Sequence, residues 1–253
     1  MVNVNLMKGD CLELMKSIPD ASVDMVLTDP PYGTTACKWD SVIPFEPMWN
    51  ELKRIIKPNG AIVLFGSEPF SSMLRCSNLK MFKYDWIWRK PKGTGHLNAK
   101  RMPMNDVETI SVFYRGQCCY YPQYSLGEAY KAKTGRSSFE GYGKDLRIGN
   151  DNEGKRYPKR VLEFNVVERG TLHPTQKPVA LLEYLIKTYT QEGETVLDFT
   201  AGSMSTAIAC INTNRNGIMI EKDEHYFKVG SDRVAKALQE LGDDRINQAL
   251  NEK

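Results

Sequence analysis

Val23-Asp24-Met25-Val26-Leu27-Thr28-Asp29-Pro30-Pro31-Tyr32 is the stretch on which the reading of this chain turns. The apolar run Val23–Leu27 has the character of a parallel strand buried on both faces. Asp29-Pro30-Pro31-Tyr32 therefore stands at a strand's carboxyl end, where open α/β sheets bind ligands. Two consecutive prolines fix φ and remove two N–H donors. What remains is an acceptor-only carboxylate, outward carbonyl oxygens and an aromatic ring. That set suits a planar base with an exocyclic amine, which donates two hydrogen bonds while the base stacks on the ring. A Pro-Pro turn after a strand is also an ordinary structural element, so the rest of the chain has to discriminate.

Around this stretch strands and helices alternate. Asn3–Met7 reads as a strand, Cys11–Ser17 as helical, and Phe45–Lys57 as a helix with Met48, Leu52, Ile55 and Ile56 on its apolar face. Pro58-Asn59-Gly60 reads as a turn before the strand Ala61–Phe65, and Pro69–Cys76 as a further helix. Tyr84–Trp88 and Thr109–Tyr114 are β-rich, and the alternation of Tyr84, Trp86 and Trp88 favours sheet packing over a base platform. Later come a helix over Pro178–Thr188, a strand over Thr195–Phe199, a helix over Met204–Asn212, a strand over Gly217–Ile220, and a helix over Tyr226–Leu241 with a polar tail. This pattern predicts an α/β fold with a doubly wound parallel sheet. Residues 117–170 are rich in Gly, Tyr, Lys and Arg with little periodicity, and read as an insertion between parts spanning 1–116 and 171–253.

The chain has 253 residues, 41% hydrophobic and 26% charged, with a net charge of +3. That length accommodates one large α/β domain with an insertion. The charge allows a local basic face without requiring one. Six cysteines without a CxxC pair, and three scattered histidines, argue against a zinc site and for free thiols in a reducing compartment. No window has the length and apolarity of a membrane span, and Met1–Asp10 lacks the pattern of a secretory leader. The expected location is cytoplasmic, with no membrane partner and no metal.

A second constellation lies near the other end. Val196-Leu197-Asp198-Phe199-Thr200-Ala201-Gly202-Ser203 runs from a strand through small residues into a helix. Small residues let a ligand approach the backbone, and a helix start offers unpaired N–H groups. Glu221 follows the next strand, about 20 residues on, at the distance where an acidic residue meets ribose hydroxyls in nucleoside-cofactor folds. Between the blocks, His173-Pro174-Thr175-Gln176-Lys177-Pro178 crowds polar groups at the opening of a helix.

Taken in order, Gly9-Asp10-Cys11, Asp29–Gly33, His173–Pro178, Asp198–Ser203 and Glu221 resemble the S-adenosylmethionine-dependent amino-group DNA methyltransferases. The order is that of the permuted subgroup called the β class. The resemblance covers most of the chain. It implies a mainly parallel seven-stranded sheet and a cofactor pocket formed by Asp10, Cys11, Thr175, Lys177, Pro178, Asp198, Phe199, Thr200, Ala201, Gly202, Ser203 and Glu221. Asp10 and Cys11 would flank the cofactor's adenine, Glu221 its ribose, and Phe199 to Gly202 its methionine part. Asp29, Pro30, Pro31 and Tyr32 would hold the target base. Met204 stands where the family commonly has glycine, and reads as a residue of the first helical turn.

The chemistry so implied is methyl transfer to adenine N6 in double-stranded DNA, by base flipping and one direct displacement. Cytosine N4 is the alternative, although Asp at position 29 favours adenine. Protein-glutamine or RNA-base methylation, and an inactive DNA-binding relative, are the further alternatives. Carbon-5 cytosine chemistry would need a cysteine nucleophile in Pro-Cys, which this chain lacks. Arg89, Lys90, Lys92, Lys100 and Arg101, together with Lys133, Arg136, Lys155 and Arg156 in the insertion, are the expected DNA contacts. A homodimer and a cognate restriction endonuclease remain open as partners.

Overall fold

The computed structural model describes residues 2–34, 40–131, 135–136, 146–147, 151–167, 171–173 and 175–251, the backbone alone at 135–136, 146–147 and 243–251. The first part of the chain forms β1 (Val4–Lys8), α1 (Cys11–Leu14), β2 (Val23–Thr28), α2 (Phe45–Ile55), β3 (Ile56–Gly66), α3 (Phe70–Ser77), β4 (Phe82–Thr94) and β5 (Asn105–Phe113). Four two-residue strands follow, β6 (Ser125–Leu126), β7 (Gly135–Arg136), β8 (Leu146–Arg147) and β9 (Lys155–Arg156). The last part forms β10 (Val161–Glu163), α4 (Val179–Tyr189), β11 (Thr195–Asp198), α5 (Ser205–Asn212), β12 (Asn216–Glu221) and α6 (Glu224–Asn251).

Among the described residues the main sheet has eight strands in the order β1-β12-β11-β2-β3-β5-β4-β10. Within this sheet, among the described residues, only the pairings of β5 with β3 and with β4 are antiparallel. The eighth strand, beyond the seven that the resemblance implies, is β10, which runs parallel to β4 with Leu162 beside Trp88. It lies in a stretch read from the sequence as insertion. The separate compact unit spans only residues 122–159. Before it, Cys118 is buried in the main core, and the Tyr121 N–H donates to the Thr188 carbonyl at 2.8 Å.

The sheet is covered on both faces, which explains why β2 is buried at every position. Met25 and Leu27 belong to the core cluster containing Leu181, Leu185, Ala207 and Cys210 from α4 and α5. Val26 belongs to the opposite cluster, with Met48, Trp49 and Leu52 of α2 and Leu74 of α3. Burying each Val, Leu or Met side chain among these is worth about 1.5–3 kcal/mol relative to leaving it in water.

Pro58-Asn59-Gly60 does not form a turn between elements but an irregularity within β3, where the register against β2 shifts between Val23 and Met25. Two contacts account for it. The Lys57 ammonium reaches the Asp24 carboxylate at 2.7 Å, and a Cβ on Gly60 would lie 2.7 Å from the Asp24 carbonyl oxygen. Only glycine permits that approach. The final helix also runs further than the sequence pattern suggests, to Asn251. Gly242 is the only helix breaker in its second half, and it does not interrupt the hydrogen-bond ladder.

Trp86 and Trp88 are buried, as their alternation implies. The Trp86 indole N–H donates to the Tyr189 hydroxyl at 2.7 Å, and the Tyr84 and Tyr189 hydroxyls share a bond of 2.8 Å. Tyr189→Phe should therefore orphan a buried donor while keeping the ring. Denaturant unfolding should show a loss of about 1–3 kcal/mol, and a loss below 0.5 kcal/mol would mean that this cluster is reached by water.

Candidate active site

The strand order places the site. From β11 the chain crosses through α5 to β12 on one side; from β2 it crosses through α2 to β3 on the other. The crevice between the carboxyl ends of β2 and β11 is the topological switch point of the sheet. Asp29–Tyr32 leave β2 there, and Phe199–Ser203 leave β11 beside them.

Hydroxyl groups join the two loops. Thr28 Oγ1 donates to Asp198 Oδ1 at 3.0 Å and accepts from the Phe199 N–H at 3.1 Å. Thr200 Oγ1 donates to the Asp29 carbonyl at 3.0 Å. Asp198 also accepts from Thr206 Oγ1 at 2.6 Å. Burial pushes the Asp198 carboxyl up to about 6, against the pull of these donors. Beyond Tyr32, Asp40 accepts from the N–H groups of Gly33 and Thr34 at 2.8 and 2.9 Å and anchors the outgoing loop.

Asp29 sits in a buried charge network. Lys177 Nζ lies 2.5 Å from Asp29 Oδ2 and 3.0 Å from Glu108 Oε1. Lys90 Nζ lies 2.8 Å from Glu108 Oε2. The Tyr32 hydroxyl donates to Asp29 Oδ1 at 2.5 Å and approaches Glu108 Oε1 at 2.9 Å. Burial pushes the Asp29 carboxyl above its ordinary range, with Lys177 opposing and Glu108 reinforcing. Burial also works against the ionised form of Glu108, but the Lys177 and Lys90 ammonium groups outweigh it and hold that carboxyl down at about 2. Burial works against the Lys177 charge as well, and the two carboxylates more than restore it. The Tyr32 phenol is pushed well above its usual value by burial and by both carboxylates, so it remains a neutral donor. The Tyr32 ring stacks on Phe70, centroids 5.0 Å apart.

Lys177, expected among the cofactor residues, directs its ammonium to Asp29 and Glu108 and lines the cavity that those residues share. Glu108, in the middle of β5, is a site residue that the sequence reading missed. No motif marks it, and it stands just before the β-rich run Thr109–Tyr114 that the sequence shows.

The second half of the site is built on β1, β11 and β12. Glu221 Oε2 accepts from the Gly202 N–H and Oε1 from the Asp223 N–H, both at 2.7 Å, and burial raises its carboxyl. Asp10 Oδ1 caps α1 through the Leu12 N–H at 3.0 Å, and Lys222, 3.0 Å from Oδ2, holds its carboxyl below the ordinary range. Burial pushes the Cys11 thiol up to about 11, which leaves it apolar in character. Ser203 Oγ donates to Gln176 Oε1 at 3.2 Å and ties this turn to the loop before α4. Within that loop Thr175 bonds the His173 ring, and Pro178 caps α4. Burial, with the Lys177 charge, pushes His173 down to about 4, so its ring is neutral.

Met204 corrects one expectation. It precedes α5 with φ 61° and ψ 34°, a left-handed conformation and not a first-turn helical one. Such a backbone costs a non-glycine residue roughly 1–2 kcal/mol. Packing holds it there: the side chain is buried against α6, where a Cβ on Gly230 would lie 2.2 Å from Met204 Cγ.

The two halves open into one cavity of about 1110 Å³, lined by Asp29–Tyr32, Lys177 and Glu108 as well as by Asp10, Asp198–Ser203 and Glu221. Ligand pockets are typically about 300–1,000 Å³, so this one stands at the large end of the range. The proposed DNA residues divide. Arg89 is exposed, 3.4 Å from Glu163; Lys92, Lys100 and Arg101 are exposed. Lys90 belongs instead to the buried network. In the unit 122–159, Lys155 is exposed, whereas the Arg156 guanidinium is held by Asn152, by the Glu128 carbonyl and by the Tyr130 ring. Lys133 lies outside the described residues, and only the backbone of Arg136 is described.

A family model described as DNA methylase (N6_N4_Mtase) matches residues 23–232. The chain belongs to this family. Over 249 residues it is 30% identical to the DNA adenine methyltransferase YhdJ of Escherichia coli K12, covering 90% of this chain and 82% of that one. It is 26% identical over 246 residues to the type II methyltransferase M.HpaI of Haemophilus parainfluenzae, covering 90% and 73%. The fold superposes on the crystal structure of the M1.HpyAVI–SAM complex with a TM-score of 0.61 at 25% identity, covering 91% of this chain and 99% of that one.

In this DNA methylase, Lys177→Met would leave two buried carboxylates without their shared cation. Stability at pH 8 should fall by about 3–5 kcal/mol. Losing the ammonium raises both carboxyl pKa values, so acidification lets the groups neutralise and the deficit should shrink. Urea unfolding at pH 8 and pH 5 checks this; an equal deficit at both would contradict it.

Proposed function

We propose that this DNA methylase transfers a methyl group to the exocyclic N6 of adenine in double-stranded DNA. The observation that carries the proposal is the shared cavity, in which an amine-accepting carboxylate and a nucleoside-cofactor cradle face the same space. The methyl donor is S-adenosylmethionine, which supplies an electrophilic methyl on a sulfonium. The residues present fit that donor. Carboxylates outnumber ammonium groups around the cavity, as a cationic ligand requires. Glu221, at the end of β12, would meet the ribose hydroxyls. Asp10 with Cys11 would flank the adenine ring, and Phe199 to Ser203 would hold the methionine part.

The target amine is a weak nucleophile because its lone pair is delocalised into the base. Asp29 accepts one of its hydrogens and the Pro30 carbonyl the other, which favours a pyramidal nitrogen with a localised lone pair. Tyr32 and Lys177 fix the Asp29 carboxylate from two sides, so its remaining lone pairs have a defined direction. Positioning of this kind can supply roughly 7–11 kcal/mol of a barrier. The carboxylate also stabilises the positive charge that develops on nitrogen. Extruding the base costs a few kcal/mol, roughly, and stacking on Tyr32 offsets part of it. Arg89, Lys92, Lys100, Arg101 and Lys155 are placed on the DNA phosphates in this reading, and the unit 122–159 in target recognition. Aspartate at position 29 and the similarity to YhdJ support adenine over cytosine. The similarity to M.HpaI supports a restriction-modification setting in a bacterial cytoplasm; no described helix is long and apolar enough to cross a membrane.

Single-molecule sequencing of DNA from cells expressing the chain should find N6-methyladenine at one recurring sequence. N4-methylcytosine in its place would move the assignment to cytosine, and unmodified DNA would refute it. With purified protein, Asp29→Ala should lower kcat by about 10²–10⁴-fold with cofactor affinity little changed, whereas Glu221→Ala should weaken cofactor binding. Because burial raises the Asp29 carboxyl, and the ionised form is the acceptor, the rate should fall on acidification at a pH above the ordinary 3.8.

A further inference from the structure

The hairpin between β4 and β5 carries Lys92, Lys100 and Arg101, placed above on the phosphates, but its apolar side chains have no part in that reading. At its base Thr94 pairs with Asn105, and both line the cavity beside Lys90 and Trp88. Its tip, residues 95–104, is ordered by its own backbone. Gly95 turns at φ 87°, a single 3-10 turn covers His96–Asn98, and the Arg101 and Met102 N–H groups donate to the Asn98 carbonyl at 2.8 and 3.0 Å. This preformed tip presents apolar side chains to water: Leu97 is 88% exposed, Met102 59% and Met104 44%. Lys92, Lys100 and Arg101 flank them, and no carboxylate occurs between positions 92 and 105.

An apolar tip within a cationic collar at the rim of the shared cavity matches a polyanion that must be opened. We propose that this hairpin enters the DNA duplex beside the target base, with Leu97 filling the gap that the extruded base leaves in the stack and Lys100 and Arg101 holding the adjoining phosphates. The proposal rests on the base-flipping reading and extends it to the residue that holds the duplex open. Leucine and methionine side chains serve as such wedges because they replace lost stacking with apolar contact and require no hydrogen-bond partner. Two copies of the tip would bring like charges together, which argues against self-association through it.

The test uses duplexes bearing the methylated sequence with 2-aminopurine at the target position, and matching adenine duplexes for turnover. Wild-type protein should raise the fluorescence on binding. Leu97→Ala should lose most of that rise and about tenfold or more in kcat/KM, while Leu97→Met retains both. With an abasic site opposite the target, where no stack has to be held open, Leu97→Ala and wild type should be equal. Equal fluorescence and turnover of Leu97→Ala and wild type on the intact duplex would overturn the proposal. So would the same loss on both duplexes, or a change in molecular mass by light scattering, which would make the tip a contact between copies. If wild type itself produced no rise, the flipped-base reading would fall and the wedge with it; if only the variant comparison failed, that reading would stand.

Discussion

The carboxyl ends of β2 and β11 are held together by side-chain hydroxyls, and the rest of the site depends on that attachment. Thr28 bonds both the Asp198 carboxylate and the backbone after it, and Thr200 returns a bond to the Asp29 carbonyl. The ladder alone pairs β2 with β11 at only two positions, Met25 with Val196 and Val26 with Leu197. Beyond those positions the strands must splay to open a crevice. The hydroxyls fix how far, so that the two loops, some 170 residues apart in sequence, face one cavity. Asp198 is the common acceptor, and its buried carboxylate is tolerated because each oxygen has a donor.

A second constraint follows from placing Asp29 in that cavity. The carboxylate proposed to accept from an amine is largely withdrawn from water, and in such a site hydrogen bonds are electrostatically stronger. Burial pushes its carboxyl above the ordinary range. The Lys177 ammonium offsets this, and Glu108 with Lys90 completes an arrangement of two anions and two cations. Lys177 immediately precedes the Pro178 cap of α4, so the seating of α4 on the core also places its ammonium. The price of this design is that any change to one member exposes the others to unpaired burial.

Much of this was legible in the sequence. Apolar runs marked the central strands because both faces of the sheet are covered. The proline pair marked the loop after β2 because stiffness and missing donors are local properties. The order of the motifs anticipated the permuted arrangement. What escaped was set by distant contacts. Glu108 looks like any polar residue in a strand until its cation, 69 positions later, is brought to it. Pro58–Gly60 carries every mark of a turn, and stays in β3 because Asp24 engages Lys57 and the backbone passes too close for a side chain. Met204 adopts the glycine-like conformation that its neighbours impose, paid in strain and recovered in packing against Gly230. β10 is three residues long, too short to show a period.

The central claim is that methyl passes directly between two groups facing each other across one cavity. Transfer from S-adenosylmethionine whose methyl carbon bears hydrogen, deuterium and tritium, followed by configurational analysis of the methylated base, tests it most directly. Inversion at that carbon is the predicted result. Retention would require two displacements through a methylated protein group, and would contradict the account.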